Sequence, residues 1–193
     1  MAFTLIAGTC AAALPVLAVV ILLLARTPEL DHGFNSTQAL CIATWLTVSA
    51  SALWLIVELT QPGASGGLWK LLLPAPLLIG GGIAVDFART PNNPLGSRLM
   101  PLNSGACVTT AVLFSLPILT SVFYVLRGVV FASPLLAGAA AGLLAGSISA
   151  TISIWHCPAS SYLATILWQS TAVAAVTALG AYLGWKYVLT PAP

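Results

Sequence analysis

The sequence predicts an all-α protein, an integral membrane bundle of six transmembrane helices, and three observations lead to this class. Apolar residues make up 59% of the 193 residues and charged residues only 5%. The mean hydropathy is +1.03, whereas a soluble domain carries about 25% charged residues to wet its surface. The apolar residues also fall into runs of roughly 20, the length at which a helix crosses a bilayer. Most of this chain is therefore expected to be solvated by lipid.

Six segments qualify as spans, and together they form one predicted transmembrane domain over residues 1–193. The breaks between them are rich in Pro, Gly, Asn and Ser, which end helices. Strands are excluded because an open sheet in lipid leaves backbone groups unpaired, and a barrel would require alternating segments of about ten residues. The predicted spans are residues 4–25, 38–60, 67–88, 104–126, 133–155 and 162–188.

The first three spans end at RTPELDHGFNST, QPGASGG and RTPNNPLGSRLMPLN. The first is predicted to be a retained helix rather than a signal peptide, because no basic region precedes it and no small-x-small cleavage site follows it. The third contains Pro74 and Pro76. Proline is tolerated inside a membrane helix because neighbouring helices satisfy the freed carbonyl groups.

The last three spans are divided by RGVVFA and HCPASS. The fifth contains GAAAGLLAG, two overlapping GxxxG motifs formed by Gly138, Gly142 and Gly146. Small residues one turn apart let a second backbone approach closely. We expect these glycines to mediate helix packing, either within the bundle, which is the simpler interpretation, or in a homodimer. Several tryptophans near predicted span ends are expected to be interfacial anchors.

Each span carries the chain across the membrane once, so loops separated by two spans lie on the same side. Loops 26–37, 89–103 and 156–161 therefore share one side of the membrane. Three basic residues fall on each side, so the positive-inside rule leaves the orientation open. Parity nevertheless brings both histidines and three of the four cysteines to a single membrane face. Asp86 falls on the same face, close enough to the polar loops to reach water.

The candidate functional residues lie on this face. Cys107 is about one turn inside the fourth span, and His156 and Cys157 follow the fifth. Imidazole and thiolate are ligands for Cu(I) and Zn(II), and two close thiols form a disulfide in an oxidising compartment. Cys107 and Cys157 are thus interpreted as a sensory, redox or metal site assisted by His156. The alternative is that both cysteines are small apolar residues buried in the bundle. His32 is a weaker metal candidate, and Cys41 is expected to be buried.

The sequence supports no enzymatic function. It contains no GxSxG, HExxH or P-loop motif and no paired carboxylates, so we predict no catalytic residues. The net charge of +2 is too small and scattered to indicate nucleic-acid binding. Membrane lipid is the expected partner, and the only expected cofactor is a transition-metal ion or a disulfide. A small transporter or channel and a structural membrane subunit are the alternatives; a transporter usually needs a charged group near the bilayer midplane, and none is predicted there.

Several stretches resemble the NrsF-type family of bacterial anti-sigma factors. They are GACVTTAVLFSLPIL, YVLRG, SPLLAGAAAGLLAG, SISATISIWHCP and ATILWQSTA, with RTPEL and LTQPG earlier. The similarity covers about residues 20–189, and its most specific features are Cys107 before SLP and the His-Cys-Pro at 156–158. The resemblance implies a six-helix protein of the bacterial inner membrane that restrains an extracytoplasmic-function sigma factor and takes part in transcription regulation and stress response.

The resemblance also implies an orientation and a signal. Both termini would be cytoplasmic, so His32, Cys107, His156 and Cys157 would face the periplasm. The two periplasmic cysteines of the family match Cys107 and Cys157, which makes this pair the expected receiver of a metal or an oxidant. A change in helix packing would then alter sigma-factor access on the cytoplasmic side.

The chain departs from the family pattern in two places. Relatives carry a cytoplasmic amino-terminal segment, whereas apolar sequence begins here almost at Met1, so the sigma-binding tail is expected to be missing. In that case the true start codon lies upstream, or loops 61–70 and 127–133 and the carboxyl end bind the sigma factor, or sigma binding has been lost. Ala159-Ser160 also stands where relatives have an acidic residue, which removes a ligand or a pKa partner.

Overall fold

The computed structural model describes residues 36–60, 74–89, 104–129, 131, 133–154 and 161–188. These residues are 93% helical and contain no strand, so the predicted all-α class is confirmed for this part of the chain. The helices are α1 (Ser36–Leu59), α2 (Pro74–Arg89), α3 (Ser104–Leu126), α4 (Pro134–Ser153) and α5 (Tyr162–Leu183), and a π-helical turn, Gly184–Val188, continues α5.

Four of the helices are long and apolar enough to cross a membrane: Thr37–Leu59, Gly105–Leu126, Pro134–Ser153 and Tyr162–Lys186. They coincide with the predicted second, fourth, fifth and sixth spans. The third predicted span is represented by α2, which has 16 residues, while residues 67–73 and the whole first span, 4–25, lie outside the described residues. The chain is thus a helical membrane protein, and the count of six spans stays a prediction.

Helix α4 is the central helix of the described bundle, because it packs against α1, α3 and α5. Of an 18-residue apolar stretch of α4, 67% is buried, compared with 28% of the corresponding stretch of α3. Its buried residues are mostly Ala, Gly and Ser. Small side chains let three helices approach one axis, and this close approach supplies the dispersion contacts that replace the hydrophobic effect in lipid.

Helices α4 and α5 approach each other closely at the glycine seam, where Gly138, Gly142 and Gly146 of α4 meet α5. A Cβ atom added to Gly142 would lie 2.6 Å from the carbonyl oxygen of Val176, and one added to Gly146 would lie 3.2 Å from the Cα of Val173. The structure therefore uses these glycines for packing within one chain. The facing helix contributes its own small residues, Gly180 and Gly184, which also contact the backbone of α4.

The described bundle has two ends, which we name by their residues. Thr44 of α1 contacts Tyr162 of α5, Asp86 of α2 contacts Ser161, and Ala111 of α3 contacts Ser149 of α4. These contacts join the starts of α1, α3 and α5 to the ends of α2 and α4. We call this the cysteine end, marked by Cys41, Asp86 and Cys107, and the opposite end, marked by Arg127 and Lys186, the arginine end.

Candidate functional site at the cysteine end

Cys107 lies in the first turn of α3 and is disulfide-bonded. Cys41 is fully buried in α1 and its thiol is free, as expected for a cysteine that serves as a small apolar residue. The disulfide partner of Cys107 is therefore not Cys41 and lies outside the described residues. Three predicted site residues, His32, His156 and Cys157, also lie outside them.

The register between α3 and α4 places Cys107 beside the end of α4. The Ser149 hydroxyl donates a hydrogen bond to the Ala111 carbonyl oxygen, and both residues are buried. The two helices run in opposite directions, so one turn towards the start of α3 corresponds to one turn towards the end of α4. Cys107 is consequently level with Ser153, at the point where the described part of α4 ends.

Asp86 of α2 fixes the start of α5. The Ser161 hydroxyl donates to Asp86 Oδ2 at 3.0 Å, and the backbone N–H of Tyr162 donates to Asp86 Oδ1 at 3.4 Å. Ser161 is itself the N-cap residue, and its Oγ accepts from the Ala164 N–H at 3.4 Å. A carboxylate at this position satisfies free N–H groups and complements the positive end of the helix dipole. Asp86 thus anchors α5 where it begins.

A buried tyrosine joins α5 to α1 and α2. Tyr162 is 1% exposed, and its hydroxyl shares a hydrogen bond of 3.0 Å with Thr44 Oγ1. Its ring packs closely against α2 at Gly82, where an added Cβ atom would overlap the ring atoms. Glycine at 82 therefore makes room for Tyr162, and the contact holds the short helix α2 on the bundle.

Gln169 connects α1, α4 and α5 deeper in the bundle. The Trp45 indole N–H donates to Gln169 Oε1 at 2.5 Å, and Gln169 Nε2 donates to the Ala150 carbonyl and the Ser153 hydroxyl, both at 3.3 Å. Gln169 is only 2% exposed. Its amide therefore has partners for its oxygen and its nitrogen, as a polar group buried away from water requires.

The contacts of Trp45 and Gln169 involve residues that the sequence pattern did not single out. Trp45 is about two turns inside the predicted second span and is 3% exposed, so it is a buried hydrogen-bond donor. Gln169, Tyr162 and Thr44 had no assigned role. The sequence did contain an indication for Gln169, since an amide side chain inside an apolar span often forms a hydrogen bond with another helix.

The cysteine end combines the disulfide-bonded Cys107 with hydrogen bonds made by the Asp86 carboxylate and by neutral polar groups. Among the described residues, no three His, Cys, Asp or Glu side chains are close enough to hold a metal ion. Asp86 is occupied by its contacts with α5. The reactive group described here is the Cys107 sulfur, which can exchange between a disulfide and a thiol.

The fold and the cysteine end together define the class of this protein. It is a helical membrane protein in which one disulfide-bonded cysteine lies beside a polar network that links five helices. The chain belongs to the NrsF family, described as negative regulator of sigma F, whose family model matches residues 1–188. The resemblance noted from sequence motifs is thereby confirmed.

Two curated proteins illustrate the similarity. The chain is 27% identical over 162 residues to the anti-sigma-F factor NrsF of Caulobacter vibrioides, an alignment that covers 81% of this chain and 75% of that protein. It is 27% identical over 139 residues to the probable anti-sigma-F factor NrsF of Azospira oryzae, covering 71% of this chain and 65% of the relative. No solved structure is significantly similar to the chain.

Proposed function

We propose that this chain is an anti-sigma factor of the bacterial inner membrane that restrains an extracytoplasmic-function sigma factor. The observation that carries the proposal is the family match over residues 1–188, and the names of the two relatives support it. In this proposal the chain crosses the membrane six times with both termini in the cytoplasm. The cysteine end then faces the periplasm, the arginine end faces the sigma factor, and the role is regulatory and not catalytic.

We further propose that Cys107 is paired with Cys157 and that this pair receives the signal. Cys107 is disulfide-bonded to a cysteine other than Cys41. It is level with the end of α4, and Cys157 follows Ile154, the last described residue of that segment, by three positions. Residues this near to one helix end can bring their Cα atoms within the roughly 7 Å that a disulfide allows.

The pair would exist in two chemical states. Oxidation removes two electrons and two protons from the two thiols, transfers them to a periplasmic oxidant and forms the S–S bond. In the reduced state two thiolates, with His156 beside them, would be ligands for a soft or borderline metal ion. Metal binding requires thiolates, so a disulfide and a bound metal exclude one another. An oxidant and a metal would therefore act on the same two sulfur atoms.

The glycine seam offers a route for this change to reach the cytoplasmic side. The disulfide would tie the start of α3 to the residues between α4 and α5, and Asp86 anchors α5 directly after them. Helices α4 and α5 meet backbone to backbone at Gly142 and Gly180, with few flexible side chains between them. Packed interfaces of this kind change between discrete arrangements rather than deforming gradually.

The first experiment tests sigma-factor restraint. The chain is co-expressed with the sigma factor encoded beside it, and transcription from a promoter dependent on that factor is measured together with co-purification from membranes. We expect transcription to fall severalfold and the sigma factor to co-purify. Unchanged transcription in cells whose membranes contain the protein would contradict the proposal and would favour a transporter or a purely structural subunit.

The second experiment identifies the disulfide partner. Free thiols are alkylated in intact membranes, and the protein is then digested without reduction and analysed by mass spectrometry. We expect a linked peptide containing Cys107 and Cys157, and this peptide should persist in the matched variant Cys41→Ser. A linked peptide joining Cys107 to Cys10 would show that the proposed pair is wrong, whatever the outcome of the sigma-factor experiment.

A further inference from the structure

An apolar groove of about 770 Å³ lies between α3 and α5 towards the arginine end. Leucine side chains make up half of its lining residues, and two aromatic side chains also line it. Several of its lining residues are exposed although they are apolar, including Leu116 at 40% and Leu179 at 39%. The lining residues are Leu116, Leu119, Thr120, Phe123, Tyr124, Arg127, Leu179 and Leu183.

The length of the groove matches one leaflet of a bilayer. From Leu116 to Arg127 it follows α3 for about three turns, which at ~1.5 Å per residue is roughly 16 Å. The hydrocarbon core of a membrane is about 30 Å thick, so a groove of this length covers about half of that thickness. An exposed tyrosine, Tyr124, lies near its outer end, and tyrosine is a residue type enriched at membrane–water interfaces.

The outer end of the groove carries a positive charge. Arg127 is exposed, directly follows the last residue of α3, and is the only charged side chain among the described residues that line the groove. A guanidinium group binds phosphate oxygens through two parallel hydrogen bonds. Basic pockets between membrane helices at an interface are a common mode of phospholipid headgroup recognition. An apolar channel that ends at an arginine is therefore complementary to a lipid tail that ends at a phosphate.

We propose that the groove between α3 and α5 is a binding site for one anionic phospholipid, with an acyl chain against Leu116, Leu119 and Leu179 and the headgroup phosphate at Arg127. The site is independent of the proposed sigma-factor function and of the cysteine pair. Because α3 and α5 both line the groove, a bound lipid would stabilise the packing of these two helices at the arginine end.

A matched control for the charge is available on α5. Lys186 lies at the same end and is exposed, but its ammonium group is 5.7 Å from the centre of the Tyr182 ring and Nζ donates to the Tyr182 hydroxyl at 3.4 Å. It is not among the groove residues. Lys186→Gln therefore removes one positive charge from the same membrane interface without altering the groove.

The first test compares lipids by thermal unfolding of the full chain in detergent. Phosphatidylglycerol should raise the unfolding temperature more than phosphatidylcholine does, and Arg127→Gln should abolish this difference while Lys186→Gln retains it. The proposal is overturned if the two lipids act equally on the unsubstituted protein. It is also overturned if both variants lose the difference, since that result would indicate attraction to the whole charged interface.

The second test identifies the occupant of the groove in membranes. A photoreactive benzoylphenylalanine is placed at position 179 or 116, and the products of irradiation are analysed by mass spectrometry. An adduct with the mass of a phospholipid supports the proposal. A crosslink to a second copy of the chain, or to a residue of the same chain outside the lining set, shows that protein and not lipid fills the groove.

Discussion

Gln169 shows how a single polar side chain can hold three membrane helices together. Its amide accepts from Trp45 on α1 and donates to Ala150 and Ser153 on α4. In lipid no water can replace these partners. A neighbouring pair, Ser49 and Ser147, shares a hydrogen bond of 2.8 Å between α1 and α4. The cysteine end is therefore stabilised by specific hydrogen bonds as well as by packing.

We predict that Gln169→Leu lowers the free energy of unfolding by about 1–3 kcal/mol, the cost of leaving buried partners unsatisfied. The Trp45 indole N–H would lose its acceptor while the side-chain volume changes little. Unfolding in mixed detergent and dodecyl sulfate micelles measures the difference. Thr171→Val is the control, because that exposed hydroxyl bonds only to a carbonyl of its own helix. Equal stability of Gln169→Leu and the unsubstituted protein would contradict this role.

Asp86 contacts the first turn of α5, and the substitution Asp86→Asn removes its charge while keeping the size of the side chain. Asp86→Asn should destabilise the start of α5 by about 0.3–1 kcal/mol, because the negative charge at the helix N-terminus is lost. Hydrogen exchange of the backbone amides of Tyr162 to Thr165 should accelerate. Glu58→Gln, a change of the same kind in α1, should leave these amides unaffected. Unaltered exchange in Asp86→Asn would show that the carboxylate does not anchor α5.

At the scale of whole helices, the pairing of α4 with α5 depends on the absence of side chains. A Cβ atom at Gly142 would meet backbone atoms, 2.6 Å from the Val176 oxygen and 2.8 Å from the Thr177 Cα. Backbone cannot rotate aside as a side chain can, so the two helices would have to separate. The glycine seam is for this reason the least adjustable contact in the described bundle.

Alanine substitutions at two glycines should differ in their effect on the free energy of unfolding. Gly142→Ala should reduce the stability of the bundle by about 1–3 kcal/mol through overpacking. Gly105→Ala, where nothing lies within 4 Å of an added Cβ atom, should have no cost or should stabilise α3 by up to about 1 kcal/mol through helix propensity. Thermal unfolding of both variants checks the signs. A neutral Gly142→Ala would mean that α4 and α5 do not meet as closely as described.

Four predicted spans agree with helices α1, α3, α4 and α5, whereas the contacts between these helices were not predictable from the sequence. Bilayer thickness fixes the length of an apolar run, so the predicted span 133–155 and the observed α4, Pro134–Ser153, nearly coincide. Lipid-facing and buried surfaces are equally apolar, so no periodic pattern distinguishes the two faces of a helix. In α4 the leucines at 135 and 136 are exposed while most of the alanines are buried.

The candidate site was predictable only in part for a related reason. Parity could bring Cys107 and Asp86 to one end of the bundle, because it requires only the order of the spans. The partners of Gln169 lie 16 to 124 residues away in the chain, and no local sequence pattern predicts contacts over such separations. The glycines of α4 were recognised as a packing motif, but their counterparts Gly180 and Gly184 became apparent only when the two helices were seen together.

For the whole molecule, we envisage two ends with different partners, joined by the closely packed helices α4 and α5. The cysteine end carries the disulfide and the polar network, the glycine seam extends from it along α4 and α5, and the arginine end carries the proposed lipid groove. A signal at the first end can reach the other only if the helices have two packing arrangements of different sigma-factor affinity. The state of the cysteine pair would select between them.

The most direct measurement is transcription from the sigma-dependent promoter, before and after addition of hydrogen peroxide or a zinc(II) salt, in cells carrying single cysteine variants. We predict that Cys107→Ser and Cys157→Ser each make transcription independent of both stimuli, since either change removes the pair. Cys41→Ser, which alters a buried free thiol, should respond like the unsubstituted protein. A normal response in the Cys107→Ser variant would contradict the proposal that this pair controls the regulator.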